Sequence, residues 1–255
     1  MRRHIHGWES YCLGEISALS PGKPSQRQLG GLFVLLMGNI MELRIDALAK
    51  GVRIISGPEA RARRELLNGL IAIAESQGFE EIILPSVEPA QVYVDKAGEE
   101  ILSQMYAFPD KKGRPLCLRP EATATVQLVA DKHYKRRKNV KLWYFERCWR
   151  YERPQEGRYR EFFQFDMEVI NPDSATIREE LIATAKQMVA LKAQDYVVSS
   201  AVKRGLDYYT EDGFEIAAPE LGAQKQVVGG GAYQQGIGFA LGFDRLMLCG
   251  ENSNN

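Results

Sequence analysis

The stretch "KLWYFERCWRYERPQEGRYREFFQFDMEVI" (residues 141–170) indicates the fold class most directly. Residues 141–152 and 160–170 are rich in aromatic and β-branched side chains, which predicts two β-strands. Successive side chains of a strand point to opposite faces, so the second strand has an apolar face and a polar face. The apolar face carries Phe163, Phe165, Met167 and Val169, and the other face carries Phe162, Gln164, Asp166 and Glu168. We expect the first face to pack in the core and the second to look into water or a ligand.

The segment that joins these two strands carries three arginines, Arg153, Arg158 and Arg160. It is longer than a two-residue hairpin turn. A guanidinium group stays charged and offers a forked set of donors to phosphate oxygens, so such a loop suits a triphosphate. The alternative interpretation is a solvated, salt-bridged hairpin tip.

The rest of the chain alternates less regularly between strands and helices. Further strands are predicted over residues 79–89 and 115–120 and over most of 196–216. Helices are predicted over residues 59–78, 121–134 and 239–249, and over a segment that starts at a capping box of Asp173, Thr176 and Glu179 and ends near Lys192. Strands in hairpin succession with helices between them predict an α+β fold with a mostly antiparallel sheet flanked by helices.

Composition limits the possible classes of function. The 255 residues include 33 basic and 33 acidic side chains, so the molecule has no net charge to attract nucleic acid or an anionic membrane, and a polyanion must meet a local patch. The four cysteines form no C-x-x-C pair, which argues against a zinc ribbon or a disulfide framework and favours the cytoplasm. The longest apolar run, residues 29–41, is too short to span a bilayer, so we expect a soluble protein with no membrane partner.

A regular pattern of hydrophobic and polar residues begins near residue 51. Residues 1–50 are therefore predicted to be an N-terminal extension, partly disordered, residues 51–250 a single domain, and residues 251–255 a tail. Within the domain, "LRPEATA" (residues 118–124) places Glu121 and Thr123 at a junction between a strand and a helix. Together with Gln164 and Glu168, these residues would suit a substrate that carries an ammonium group.

Four motifs carry a family resemblance. "LRPEATA", "WRYERPQEGRYREFFQFDMEV", "KRGLDYYT" and "GIGFALGFDRL" resemble, in this order, the motifs of histidyl-tRNA synthetases, which are class II aminoacyl-tRNA synthetases. The likeness runs from about Gly51 to Gly250. It implies the class II catalytic fold, activation of L-histidine with ATP and Mg²⁺ to histidyl-adenylate, and transfer to tRNA(His). It also implies a homodimer, since residues 79–89, with Pro85, resemble the class II dimer motif.

The resemblance assigns roles to single residues. It implies catalytic roles for Arg150, on the α-phosphate, and for Arg204, which would bridge the histidine carboxylate and that phosphate in place of a metal. The ATP-binding residues would be Arg150, Glu152, Arg158, Phe162 and Arg245. The histidine-binding residues would be Glu121, Thr123, Gln164, Glu168, Tyr208 and Tyr209. No protein ligands to a metal are implied. Two alternatives without a functional role stay open, in which Tyr208 or Tyr209 are core aromatics and Glu168 pairs with a neighbouring arginine.

Three departures from the family pattern affect the expected function. Only a capped helix and a short link lie between the strand of Glu168 and the segment of Arg204, where the family has a sizeable insertion. We also expect this protein to lack the family's C-terminal anticodon-binding domain. In "GGGAYQQG", Ala232 and Gln234 stand where the family usually has arginine and aspartate.

Two other functions therefore remain in view. One is a non-catalytic, synthetase-like regulatory subunit of ATP phosphoribosyltransferase in histidine biosynthesis. The other is an enzyme that adenylates histidine for an acceptor other than tRNA. The basic residues 132–141 would be a solvated face or a contact for an RNA backbone.

Overall fold

The computed structural model describes residues 48–96, 98–203, 206 and 208–250, with only the backbone of residues 98–100. All of these residues belong to one compact unit, Leu48–Asn255. The predicted extension, apart from residues 48–50, and the predicted tail lie outside the described residues.

The described chain contains ten strands. They are β1 (Glu80–Glu81), β2 (Val87–Pro89), β3 (Ala107–Pro109), β4 (Pro115–Leu118), β5 (Val140–Trp149), β6 (Glu161–Ile170), β7 (Val197–Val202), β8 (Gly213–Ala217), β9 (Gln226–Tyr233) and β10 (Gly236–Gly242).

The α-helices are α1 (Gly57–Ser76), α2 (Gln91–Val94), α3 (Gly98–Gln104), α4 (Thr123–Val129), α5 (Ile177–Val189) and α6 (Phe243–Leu248). A π-helical turn (Ala130–Tyr134) continues α4, and a 3₁₀ segment (Pro219–Gln224) precedes β9. Within the described residues, no helix is long and apolar enough to cross a membrane.

Seven strands form the main sheet in the order β1-β5-β6-β10-β9-β8-β7. Every neighbouring pair is antiparallel except β1 and β5, which are parallel. The predicted α+β fold with a mostly antiparallel sheet is therefore confirmed. Strands β5 and β6 form an antiparallel hairpin, as residues 141–170 predict, and they are the second and third strands of the sheet.

Strands β2, β4 and β3 form a separate small sheet. The prediction of one strand over residues 79–89 is wrong, because β1 joins the main sheet while β2 pairs with β4. Pro85 lies between the two short strands. Proline has no N–H to donate to a strand ladder, so the chain changes sheets there.

The apolar face of β6 packs in the core, as the alternation predicts. Phe165, Met167 and Val169 are buried there against side chains from α1 and α5 that include Leu70 and Met188. The polar face of β6 is turned the other way and forms the floor of a cleft. One strand thus contributes both to the core and to the candidate site.

Two predicted helices need correction. Residues 239–242 belong to strand β10, and only Phe243–Leu248 is helical. Residues 239–243 (FALGF) are apolar throughout, and composition alone does not separate a buried strand from a buried helix. For α5, Thr176 is the N-cap as predicted, but its hydroxyl lies 2.7 Å from a carboxylate oxygen of Glu180 and makes no capping box with Glu179. The helix ends at Val189.

Candidate active site

A cleft of about 630 Å³ opens over the polar face of β6. Ten of the predicted site residues line it: Glu121, Thr123, Arg150, Glu152, Arg158, Phe162, Gln164, Tyr208, Tyr209 and Arg245. Glu168 lies behind the lining, and Arg204 lies outside the described residues. The fold therefore brings together residues that are more than a hundred positions apart in sequence.

The loop between β5 and β6 delivers Arg158 to this cleft. At its tip, the backbone N–H groups of Gln155 and Arg158 each donate to the other residue's carbonyl oxygen, over 3.0 and 2.9 Å. Gly157 lies inside this turn with a φ of 68°, a left-handed conformation that glycine adopts most easily. The joining segment is long, as predicted, but its tip is a tight turn.

Three arginines converge on one end of the cleft. Arg245 donates hydrogen bonds to three neutral oxygens, which belong to Gly157, Gln226 and Gln224. Burial lowers the pKa of Arg245, and the positive charges of Arg150 and Arg158 lower it further, while Glu152 opposes the shift. These guanidinium groups therefore repel one another at short range, and an anion placed between them would relieve that repulsion.

Arg150 is fixed beside an aromatic ring. Its Nε donates to the carbonyl oxygen of Pro120 over 2.8 Å, and its guanidinium carbon lies 5.2 Å from the centre of the Phe162 ring. Both side chains line the cleft. The predicted phosphate contact and the predicted stacking face for adenine are thus neighbours.

Carboxyl groups gather at the other end of the cleft. Glu121 is 4% exposed and accepts hydrogen bonds from the backbone N–H groups of Thr123 and Ala124 and from the hydroxyl of Tyr208. Burial raises the pKa of Glu121, although these bonds and the charge of Arg150 oppose the shift. Since the bonded N–H groups belong to the first turn of α4, the carboxylate also holds the start of that helix.

Glu168 lies deeper and accepts three hydroxyl donors. Thr123 and Tyr144 donate to its Oε1 over 2.9 and 3.1 Å, and Tyr233 donates to its Oε2 over 3.0 Å. Burial raises the pKa of Glu168 to about 7. A Cβ atom at Gly238 would lie 1.8 Å from Oε2, so only glycine fits beside this carboxyl. Glu168 makes no ion pair with a described arginine, and its partners are hydroxyl groups.

The two predicted tyrosines pack together at the cleft. The rings of Tyr208 and Tyr209 are 4.7 Å apart, and Tyr209 lies so close to Gly231 that a Cβ there would be 2.9 Å from the Tyr209 ring. Both rings line the cleft, so their contacts combine packing with access to a ligand.

The sequence reasoning missed three residues of this site. Asp166 lines the cleft between Gln164 and Glu168, and its place on the polar face of β6 was the available signal. Tyr233 donates to Glu168, but no local pattern marks it. Asp244 accepts from the backbone N–H of Phe163 and is paired with Arg53 and Arg63, two residues that are remote in sequence.

Several carboxyl groups line the cleft, among them those of Glu121, Glu152 and Asp166. No group of three or more His, Cys, Asp or Glu residues with metal-binding geometry occurs in the described ranges. Cys117, Cys148 and Cys249, the cysteines within those ranges, are buried free thiols.

A mostly antiparallel sheet with helices on its apolar face and a ligand cleft on the other is the class II aminoacyl-tRNA synthetase fold. Within that class, the sequence model described as histidyl-tRNA synthetase matches residues 51–200. The chain belongs to the histidyl-tRNA synthetase family.

Curated relatives match a larger share of the chain than the family model does. The histidine–tRNA ligase of Archaeoglobus fulgidus is 30% identical over 303 aligned positions, which cover 77% of this chain and 74% of the relative. That of Methanospirillum hungatei is 30% identical and covers 78% of this chain and 74% of the relative. Because 303 positions exceed the 255 residues of the whole chain, the relative has residues within the aligned region that this chain lacks. This agrees with the predicted loss of the insertion.

Solved structures share the fold. The S. aureus apo histidyl-tRNA synthetase has a TM-score of 0.67 and 24% identity, and the match covers 80% of this chain and 70% of that one. An "ATP phosphoribosyltransferase regulatory subunit/histidyl-tRNA synthetase" from Bacillus halodurans C has a TM-score of 0.69 and 16% identity. The match covers 83% of this chain and 84% of that one. At these identities the likeness extends to the fold alone.

Proposed function

We propose that this chain is a histidine–tRNA ligase. It activates L-histidine with ATP to histidyl-adenylate and transfers the histidyl group to tRNA(His). The observation that carries the proposal is the two-ended cleft, with three arginines at one end and buried carboxyl and amide acceptors at the other. One end suits a polyphosphate, and the other suits an amino acid.

The arginine end would bind ATP. Arg150 would grip the α-phosphate, while Arg158 and Arg245 would hold the outer phosphates, with Phe162 stacked on adenine. Glu152 already forms an ion pair with Arg158 and would orient it. Magnesium would enter as the Mg²⁺ complex of ATP.

The acceptor end would bind histidine. Gln164 Oε1 is buried and has no hydrogen-bond partner in the described chain, so it is open to a donor such as the substrate's α-ammonium group. Glu121 and Thr123 would complete the ammonium site. Glu168 and Tyr209, with Tyr208 packed beside them, would form the wall of the imidazole site.

The chemical step needs no protein nucleophile. A carboxylate oxygen of histidine attacks the α-phosphorus, a mixed anhydride forms, and the bond to the β-phosphate breaks with release of pyrophosphate. Rate enhancement then comes from positioning and from cations that neutralise developing negative charge. Arg150 would supply such a charge, and Arg204 is proposed as its partner on the histidine carboxylate.

The support for tRNA binding is an exposed basic turn, defined as residues 132–138, which follows the helix that starts at the cleft. Its five cations are Lys132, Lys135, Arg136, Arg137 and Lys138. They are all exposed, and no carboxylate of the described chain forms an ion pair with them. A nucleic-acid backbone would be a suitable partner, because phosphate contacts by Lys and Arg release counterions.

The support for a homodimer is apolar exposure around Pro85. Ile83 is 81% exposed and Val87 is 47% exposed, so a two-fold contact over residues 79–89 would cover both side chains. The expected setting is the cytoplasm, where histidine, ATP and tRNA occur together.

A regulatory subunit of ATP phosphoribosyltransferase is the second candidate. It is favoured by the fold likeness to the Bacillus halodurans protein and by the residues missing relative to the ligases. A charging assay with tRNA(His) and ATP, run beside a pull-down of the phosphoribosyltransferase, separates the two candidates. Histidyl-tRNA formation supports the ligase. Stable association with the transferase in the absence of charging or adenylation would overturn it.

A further inference from the structure

Asp166 is a buried carboxyl group in the cleft whose bonding is incomplete. It lies on β6 between Gln164 and Glu168, is 1% exposed, and lines the cleft. Its Oδ1 has no hydrogen-bond partner within the described residues. A buried polar atom without a partner costs free energy, and at a cleft surface a ligand can remove that cost.

The sheet leaves open space beside this carboxyl. Asp166 is paired with Ala240 on β10, and Ala240 is paired with Gly229 on β9. Both neighbours line the cleft, and neither has a side chain larger than a methyl group. A ligand ring over this part of the floor would therefore meet no side chain larger than a methyl group beside Asp166.

Glu168, the residue expected to meet the imidazole, has little bonding capacity left. A carboxylate offers about four lone-pair sites, and three hydroxyl donors already occupy Glu168. It also lies behind the surface of the cleft, whereas Asp166 forms part of that surface.

The spacing along β6 agrees with the size of an amino acid. Gln164 and Asp166 are two residues apart on the same face, which separates them by about 7 Å along the strand. That step is comparable with the distance from the α-amino group of histidine to its ring nitrogens. A histidine held at Gln164 by its ammonium group would therefore bring its ring to Asp166.

We propose that Asp166 is a further specificity-determining residue, whose Oδ1 accepts a hydrogen bond from a ring N–H of bound histidine. The inference rests on the proposed function. Glu168 keeps its proposed place in the wall of the imidazole site and also holds the hydroxyl groups of Thr123, Tyr144 and Tyr233.

Electrostatics agree with this role. Burial raises the pKa of Asp166, and the negative charges of Glu168 and Glu121 raise it further, while the charge of Arg119 and a hydrogen bond from the backbone N–H of Leu241 oppose the shift. An N–H donor brought to this group offsets part of its desolvation. The role as acceptor does not depend on ionisation, because a neutral carboxyl keeps a carbonyl oxygen.

The test measures binding of two amino acids by calorimetry without ATP. One is L-histidine, and the other is L-4-thiazolylalanine, whose ring has a similar shape but no N–H. In Asp166→Ala, the Kd for histidine should rise about tenfold or more. The Kd for thiazolylalanine should change by less than about twofold, because the lost hydrogen bond was never formed with that ligand.

Glu215→Ala is the matched control. Glu215 lies in the same cross-strand row, paired with Gly229, and lines the far side of the cleft. Its removal should leave the preference for histidine over thiazolylalanine unchanged. Equal losses for both ligands in Asp166→Ala, or no loss for either, would overturn the proposal.

Asp166→Val keeps the test decisive if the alanine variant does not fold. Its side chain fills the site but has no acceptor oxygen, so the preference for histidine should fall as it does in Asp166→Ala. A folded valine variant that prefers histidine as strongly as the wild type contradicts the proposal. Wild-type protein that does not bind histidine contradicts the proposed function itself. A protein that adenylates histidine without a contribution from Asp166 contradicts the further inference alone.

Discussion

Single side chains at the cleft determine which chemical groups can bind there. At the arginine end, the three described acceptors of Arg245 are neutral oxygens. The negative charge of Glu152 partly offsets the repulsion of Arg245 by Arg150 and Arg158. At the acceptor end, Gln164 and Asp166 each keep a buried oxygen without a partner in the described chain. The cleft thus carries opposite chemical demands at its two ends.

Arg158→Ala tests whether the arginine end of the cleft serves ATP and not histidine. The variant should raise the KM for ATP about tenfold or more, since hydrogen bonds to charged groups contribute about 1.5–3 kcal/mol. Histidine binding should change by less than about twofold, because Arg158 is at the other end of the cleft. Pyrophosphate exchange at varied ATP, beside calorimetry with histidine, gives both values.

Arg153→Ala is the control for this prediction, because Arg153 is exposed in the same loop and does not line the cleft. It should leave both values near those of the wild type. Equal losses of ATP and histidine binding in Arg158→Ala would mean that the loop does not serve ATP alone.

Strand β6 contributes to both the core and the site, and the side chain of Asp244 links β6 to helix α1. The Asp244 carboxylate at the start of α6 accepts from the backbone N–H of Phe163 over 2.6 Å. It also pairs with Arg53 over 2.6 Å and with Arg63 of α1 over 2.9 Å. Arg63 is only 8% exposed, so Asp244 provides a counterion for a nearly buried cation.

Asp244→Asn should destabilise the fold. Removing one partner of a buried pair typically costs about 3 kcal/mol or more, because the other charge stays buried. For a domain of this size that corresponds to a drop in Tm of roughly 6–12 °C, measurable by thermal denaturation. Asp110→Asn, which removes a pair whose cation, Arg114, is 73% exposed, should change Tm far less. A Tm equal to that of the wild type in Asp244→Asn would show that this ion-pair cluster adds no stability.

The elements also show what sequence alone could predict. The alternation in β6 correctly separates its two faces, since burial follows directly from the period of a strand. The border between β10 and α6 was misplaced, because the apolar residues Phe239, Leu241 and Phe243 continue across it without a break in composition. The hydrogen bonds from tyrosine hydroxyls to Glu168 were not predictable, because Tyr144 and Tyr233 lie near it only through the pairing of distant strands.

At the scale of the whole molecule, the charge is balanced but unevenly placed. The chain has 33 basic and 33 acidic residues, yet the basic turn at residues 132–138 has five cations without an acidic partner in the described ranges. A polyanion must therefore dock locally, and a local patch binds with a strong dependence on salt.

Arg136→Gln/Lys138→Gln tests this turn. The double variant should weaken tRNA(His) binding and reduce the slope of log K against log salt by about 1–2, because up to two phosphates are no longer neutralised by the protein. Histidine adenylation should stay unchanged. Filter binding over a salt series measures the slope, and Lys111→Gln/Lys112→Gln, which removes two exposed cations from another turn, is the matched control. Equal slopes for both variants would exclude residues 132–138 from the tRNA contact.

Our main proposal is that one cleft binds ATP and histidine and joins them. Histidine-dependent exchange of labelled pyrophosphate into ATP tests it without tRNA, since exchange requires reversible formation of the adenylate. We predict exchange with L-histidine and none with the other standard amino acids. Purified, folded protein that shows no exchange with histidine would contradict the proposal.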